Sequence, residues 1–130
     1  MPATLSYKKR FESILNELLS NAADILGTIL VRYDGLLIAS SVKEGADKDL
    51  IASISTALVN ISRRTSEELK KGIYDYTIVA ASDGNIVTVD VGERGALVSL
   101  TKKDANLGLV LLQMRRANKK LQEIFNDLFS

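Results

Sequence analysis

The sequence predicts an α/β sandwich of the α+β type, with elements in the order α-β-β-α-β-β-β-α. Two observations lead to this prediction. Three stretches carry apolar residues at the spacing of one helix face, and five shorter segments are rich in aliphatic and β-branched residues. Asp-Gly pairs separate two pairs of these segments, as tight turns require. At 130 residues the chain is expected to form one domain, residues 1–130, burying about two-thirds of its unfolded surface.

The first predicted elements are a helix and a β-hairpin. The helix is expected from Ser6 to about Leu19, where apolar residues recur at i, i+3, i+4, i+7 and i+8. Strands are expected from about Leu26 to Tyr33 and from Leu36 to Ser41, joined at Asp34-Gly35. Both faces of these strands are apolar, which indicates a sheet covered by helices on both sides.

A long central helix is predicted from about Asp47 to Lys71. Asp47 suits its N-cap and Gly72 suits the C′ position. Ser and Thr are frequent in the middle of this helix and are mediocre helix formers, so tertiary contacts must stabilise it. The stripe expected to face the core consists of Leu50, Ile54, Leu58, Ile61 and Thr65.

Beyond Gly72 the apolar period changes from helical to alternating. Three strands are expected at Tyr74–Ala81, Asn85–Val91 and Gly95–Thr101. A last helix is predicted from Asp104, as its N-cap, to about Leu128. A hairpin and a three-strand meander joined by the central helix give one mostly antiparallel five-stranded sheet.

The composition argues against several classes of function. Hydrophobic residues make up 46 % and charged residues 25 %, as in ordinary globular proteins, and the net charge of +1 gives no global attraction to nucleic acid or membranes. The lack of His and Cys removes the commonest general base and the commonest metal ligands. We expect a cytoplasmic, non-enzymatic protein with no cofactor, no metal, no nucleic-acid partner and no membrane insertion.

The carboxylates give no sign of acid–base catalysis. Asp34 and Asp83 each precede a glycine in a predicted turn, where Asp is favoured for its local hydrogen bonds. The eight glycines form neither a GxxxxGK nor a GxGxxG pattern, so no phosphate-binding loop is predicted.

Two segments together resemble the roadblock (dynein light-chain) family. They are GTILVRYDGLLIAS, residues 27–40, and DANLGLVLLQMRRA, residues 104–117. The resemblance implies the strand order 2-1-5-4-3, with the central helix on one face of the sheet and the terminal helices on the other. It also implies a single-domain prokaryotic member that forms a homodimer and regulates or scaffolds a small Ras-like GTPase. Such a protein is at most a GTPase-activating partner acting in trans.

The resemblance places the dimer contact on the central helix and the third strand. A stripe of small or polar residues on that helix permits a close helix–helix approach. The same residue pattern is also typical of an ordinary helix face exposed to solvent. The third strand would be an edge with no Lys or Pro to block pairing, unless a loop of the same chain covers it. The expected interface residues are Ser53, Thr56, Ala57, Asn60, Arg64, Tyr74, Tyr76 and Ile78.

In such a dimer the paired central helices would form a platform for the GTPase. The candidate GTPase-binding residues are Arg63, Arg64 and Glu67. Activation of a GTPase often depends on an arginine supplied in trans, for which Arg94 is also a candidate by residue type. Roadblock proteins that accelerate hydrolysis are thought to remodel the GTPase's own residues instead, so no catalytic role is assigned.

Two other functions remain open at the level of sequence. One is a small-ligand sensor, since related five-stranded folds serve that purpose and fold does not settle function. The other is a structural subunit of a larger motor or membrane-docked complex. A basic arc on the last helix could contact phosphates or lipid headgroups, although acidic residues interspersed nearby favour a solvated face. The arc consists of Arg115, Arg116, Lys119 and Lys120.

Overall fold

The part of the chain that the structure describes forms three helices and five strands. The computed structural model of the chain describes residues 3–43 and 45–130, apart from the side chains of residues 3–6. The helices are α1 (Ala3–Asn21), α2 (Lys48–Glu68) and α3 (Leu107–Leu128). The strands are β1 (Ile25–Arg32), β2 (Leu37–Ser41), β3 (Tyr76–Ala81), β4 (Gly84–Val91) and β5 (Gly95–Thr101).

The five strands form one antiparallel sheet in the order β2-β1-β5-β4-β3, as expected. β1 and β5 pair at the centre, with Ile29 opposite Val98, and β3 is an edge strand that pairs only with β4 within the described chain. Gly95 permits the close approach of β1 and β5, because a Cβ there would lie 2.4 Å from the Val31 carbonyl oxygen.

α1 and α3 cover one face of the sheet. The core on this side joins the apolar faces of both helices to alternate residues of β1, β4 and β5. The Phe11 and Phe125 rings meet at 4.9 Å between centroids. Leu121, Ile124 and Phe125 are all buried, so α3 remains docked on the sheet well beyond Ala117.

α3 begins later than predicted. Its N-cap is Asn106, whose side-chain oxygen accepts a hydrogen bond of 3.1 Å from the Leu109 amide. The expectation that Asp104 caps the helix is wrong, because the Ala105 amide bonds the Lys102 carbonyl and closes a turn first. The Asp24 carboxylate then accepts the Asn106 amide at 2.8 Å and fixes the start of the helix.

α2 lies on the opposite face of the sheet. The helix face that it buries against the sheet is not the one predicted from the sequence. The buried residues of α2 are Ala52, Ser55 and Val59. The predicted core stripe is wrong: Leu58 is half-buried, while the other members, Leu50, Ile54, Ile61 and Thr65, are exposed. Small side chains let the helix lie close to the strands, so its larger side chains project from the flank next to β3.

The C-terminus of α2 also differs from the prediction. The helix ends at Glu68 with Leu69 as C-cap, and Lys70 adopts a left-handed φ of 57°. The Lys70 amide bonds the Glu67 carbonyl and the Lys71 amide bonds the Ser66 carbonyl. These two bonds make a Schellman motif in which Lys70 takes the C′ position usually held by glycine.

Candidate protein-interaction site

An exposed apolar surface lies along α2. We call Leu50, Ile54, Leu58 and Ile61 the α2 stripe. Ile54 is 60 % exposed and Ile61 is 65 % exposed, although a helix of this amphipathic kind normally buries its large aliphatic residues. An exposed apolar stripe of this kind is typical of surfaces that bind another protein, which makes the α2 stripe a candidate interaction site.

A groove runs between the α2 stripe and the β3 side of the sheet. Its volume is about 340 Å³ and its walls are almost entirely apolar. It is lined by Leu50, Ile51, Ile54, Ser55 and Leu58 of α2 and by Val79, Ile86 and Leu100 of the sheet. Because the groove lacks convergent polar groups that would orient a small molecule, its chemistry fits the aliphatic side chains of a protein.

The β3 edge borders this groove. Tyr76 and Val79 are partly exposed along the strand, and β3 contains no Lys, Pro or bulge that would oppose pairing with another strand. α3 is tied to the residue before the strand, because both terminal guanidinium nitrogens of Arg115 donate to the Asp75 carboxylate at 3.1 Å. The β3 edge is therefore anchored at its start and has the features of a strand that can pair with another strand.

The residues predicted for the dimer interface fall on different surfaces. Ser53, Ala57 and Arg64 are exposed on the outermost side of α2, away from the sheet. Thr56 is half-buried and donates to the Ala52 carbonyl, and Asn60 donates to the Tyr33 carbonyl at 3.0 Å.

The interface residues predicted for the third strand also differ in their exposure to solvent. Tyr74 is buried before β3 begins, with its hydroxyl beside the Thr88 hydroxyl. Tyr76 lies on the exposed edge, and Ile78 is half-buried against the core beneath α3. Tyr76 is thus the one of these three with a largely accessible side chain.

The predicted GTPase-binding arginines have partners within the chain. The Arg63 guanidinium lies 3.9 Å from the centroid of the Tyr33 ring. The Tyr33 hydroxyl donates a hydrogen bond to Asp90, whose other oxygen accepts the Glu93 amide at 3.0 Å. Burial, together with the hydrogen bond to Asp90, raises the pKa of Tyr33 far above its ordinary value.

A second cavity opens beside this cluster at the C-terminal end of α2. It has a volume of about 420 Å³ and is lined by side chains of both charge signs, among them Arg63, Glu67, Lys70 and Asp90.

The other candidate arginines lie outside this cavity. Arg64 projects away from it and pairs with Glu68 at 3.2 Å. Arg94 lies far along the chain, 4.4 Å from the Phe129 ring centroid.

Local contacts explain the position of the Asp34 carboxylate. Asp34 accepts from the Leu36 amide within the β1–β2 turn and pairs with Arg32. Across residues 3–43 and 45–130, no three acidic side chains come together as metal ligands would. No helix in the same part of the chain is long and apolar enough to cross a membrane.

The residues missed by sequence reasoning are the α2 stripe and Val79. A signal for them was present, since α2 carries a stripe of large aliphatic residues beside a stripe of Ala, Ser and Val. Either stripe fits a buried helix face. Only the position of the sheet distinguishes which one lies against it.

Comparison with known proteins identifies the family. The Roadblock/LC7 domain family model matches residues 12–101. An uncharacterised protein of Methanocaldococcus jannaschii is 35 % identical over 107 residues, which cover 82 % of this chain and 93 % of that protein.

Solved structures share the fold over nearly the whole chain. Myxococcus xanthus MglB aligns with a TM-score of 0.86 and 22 % identity, covering 93 % of this chain and 91 % of that one. The gliding protein MglB of Thermus thermophilus aligns with a TM-score of 0.82 and 19 % identity, covering 98 % and 94 %. With the family model covering more than half of its residues, this chain belongs to the Roadblock/LC7 domain family.

Proposed function

We propose that the chain forms a two-fold homodimer that binds a small Ras-like GTPase and serves as its regulator or scaffold. The observation that carries this proposal is the α2 stripe lying beside an uncovered β3 edge. The resemblance to roadblock proteins supplies the class of partner. The chain has neither a phosphate-binding loop nor a histidine to act as general base, so any effect on GTP hydrolysis acts through the GTPase.

The dimer follows from pairing β3 with its copy. When two identical strands pair antiparallel, the two-fold axis stands perpendicular to the sheet. The result is a ten-stranded sheet with both α2 helices side by side on one face. Because the stripe lies on the β3 flank of α2, the two stripes meet across the axis and each covers the apolar groove of the other.

This arrangement changes the role proposed for the small and polar residues of α2. Ser53 and Arg64 lie on the outermost side of the helix, so they face away from the joined sheet and remain accessible in the dimer. Together with Glu67 they form the surface that we propose contacts the GTPase. Exposed charges at the edge of a protein–protein interface mainly steer association and determine specificity.

A small-ligand sensor is the weaker alternative. The apolar groove is large enough for a small molecule. Its walls, however, offer a ligand no hydrogen-bonding group that would set the ligand's orientation. In the proposed dimer the groove is occupied by the partner's α2 side chains.

The GTPase contact can be tested without disturbing the fold. The variant Arg64→Glu/Glu67→Lys keeps the net charge and changes exposed side chains, whereas Arg63 is avoided because it stacks on Tyr33. Binding to Ras-like GTPases of the source organism, loaded with GDP or a GTP analogue, is measured by calorimetry. We expect affinity to fall about tenfold.

The matched control is Arg116→Glu/Glu123→Lys, which makes the same charge exchange on the exposed side of α3. It should bind the GTPase as the wild type does. Loss of binding in the control alone would move the docking surface to α3. No binding by the wild-type dimer to any of these GTPases would contradict the proposal.

A further inference from the structure

The exposed side of α3 combines apolar and cationic residues. We call Leu109, Leu112, Arg116 and Lys119 the α3 outer face. At 100° per residue, all four lie on the side opposite the buried Met114. Leu109 is 47 % exposed and Leu112 is 46 % exposed, and no element of the described chain covers them.

The charge on this part of the helix has one sign. Residues 105–122 contain four cationic side chains and no acidic one. Arg115 and Lys120, on the two flanks, are paired with Asp75 and Glu17. Arg116 and Lys119 form no salt bridge with any described side chain.

Acidic groups lie at both ends of the α3 outer face. Asp104 precedes the helix and is adjacent in sequence to Lys103, which offsets its charge. Glu123 lies on the same helix face, one turn beyond Lys119 and four residues from it, and so bounds the cationic part of the face at its C-terminal end. Asp127 pairs with Arg10. The cationic surface is therefore confined to the first four turns of α3.

We propose that the α3 outer face docks the protein on an anionic lipid surface, with Leu109 and Leu112 entering the headgroup layer. Aliphatic residues beside Lys and Arg on one helix face are the chemistry of interfacial membrane binding. A bilayer fits better than an acidic protein, because this face lacks the aromatic anchors common at protein hot spots.

The proposed homodimer doubles this surface, and this step rests on the proposed function. α3 packs over β4, next to the β3 edge, so the two α3 helices flank the two-fold axis on the face opposite the α2 pair. Three strand spacings separate β4 from its copy, roughly 14 Å. Since a helix with side chains is roughly 10 Å wide, the two helices leave each other's outer faces free.

The consequence is a two-sided assembly. One face of the dimer carries the surface proposed for the GTPase, and the other carries two cationic patches that can engage one bilayer at the same time. Two linked sites bind more tightly than one, because the second contact is intramolecular.

Sedimentation with lipid vesicles tests this proposal. The full chain is mixed with vesicles of phosphatidylcholine alone or with about 30 % phosphatidylserine. We expect binding to the anionic vesicles only, and release when NaCl rises from about 0.1 M to about 0.5 M. Arg116→Glu/Lys119→Glu should lower the affinity at least ~25-fold, since each cation near an anionic surface contributes about fivefold.

Two further variants separate charge from apolar contact. Leu109→Ser/Leu112→Ser should also weaken binding, while leaving the circular dichroism spectrum of the folded protein unchanged. Lys48→Glu/Lys71→Glu makes the same change in net charge at exposed positions at the two ends of the α2 segment. This control should bind anionic vesicles as the wild type does.

The outcomes are distinct. No binding to anionic vesicles by the wild type, or an equal loss in the Lys48→Glu/Lys71→Glu control, overturns the proposal. Binding to soluble poly-L-glutamate but not to vesicles identifies an acidic protein surface as the ligand and also overturns it. The assay contains no GTPase, and dimer formation is measured separately by light scattering, so failure here is distinguishable from failure of the proposed function.

Discussion

The Arg63 guanidinium lies over the Tyr33 ring, 3.9 Å from its centroid, and joins the C-terminal half of α2 to the β1–β2 hairpin. The Tyr33 hydroxyl continues this link to Asp90 at the end of β4. One cluster thus ties α2 to two separate strands. A stacked, half-buried arginine is poorly suited to insertion into a partner's active site, which supports assigning it no catalytic role.

Replacing Tyr33 with Phe should lower the free energy of unfolding by about 1.5–3 kcal/mol, the usual contribution of a hydrogen bond to a charged group. Chemical denaturation at neutral pH measures this change. Tyr7→Phe is the control, because the Tyr7 hydroxyl makes only a long, exposed contact of 3.5 Å with Asp127. Equal stability of the two variants would show that the Tyr33–Asp90 bond contributes nothing.

The same cluster makes stability depend on alkaline pH. Burial and Asp90 raise the pKa of Tyr33 above its ordinary value of 10.0, and burial raises that of Tyr74 too. Above pH 10 the unfolded chain therefore releases protons that the folded chain keeps. Stability should be unaffected by these groups below pH 10 and fall above it, by up to about 1.4 kcal/mol per pH unit for each tyrosine.

Denaturation curves collected from neutral pH to above pH 10 test this dependence. The decline should be shallower in Tyr33→Phe, which loses one of the two contributions, and unchanged in Tyr7→Phe. A wild-type stability that stays constant above pH 10 would contradict the assignment.

Substituting Lys70 with Gly should stabilise the protein. Lys70 occupies the C′ position of α2 with a φ of 57°, where a side chain costs free energy that glycine avoids. After the entropy of the unfolded glycine is subtracted, a gain of about 0.5 kcal/mol is expected. Thermal unfolding should show a higher Tm for Lys70→Gly and no gain for Lys71→Gly, which is the adjacent control.

Replacing Gly95 with Ala should destabilise the centre of the sheet. The new Cβ would lie 2.4 Å from the Val31 carbonyl oxygen, so β1 and β5 would have to separate. We expect a loss of about 2 kcal/mol or more by denaturant titration. Gly108→Ala is the comparison, because Gly108 has no positive φ and its Cβ would meet only the Asn106 side-chain oxygen, at an ordinary 3.5 Å. An equal effect at both positions would rule out a steric cause.

Much of the fold was predictable from local signals. Alternating hydrophobicity marked the strands, and Asp47 was correctly identified as the α2 N-cap, since it accepts the Leu50 amide at 3.0 Å. The strand order came from the family resemblance, because periodicity does not determine which strands are neighbours. The α3 N-cap was missed since Asp24, far away in sequence, fixes the chain at Asn106.

The candidate site was harder to predict, for a physical reason. Periodicity shows that a helix face avoids water, but it does not say whether the same chain or a second copy covers it. The large residues of the α2 stripe therefore resembled core, whereas Ala52, Ser55 and Val59 form the contact with the sheet.

Light scattering on the purified chain and on an Ile54→Lys variant tests the dimer through the α2 stripe most directly. Ile54 is 60 % exposed in the single chain, so the variant should fold, and its charge should prevent the two stripes from meeting. We predict twice the chain mass of 14.2 kDa for the wild type and the single chain mass for Ile54→Lys. A monomeric wild type, or an Ile54→Lys variant that remains fully dimeric, would contradict the account.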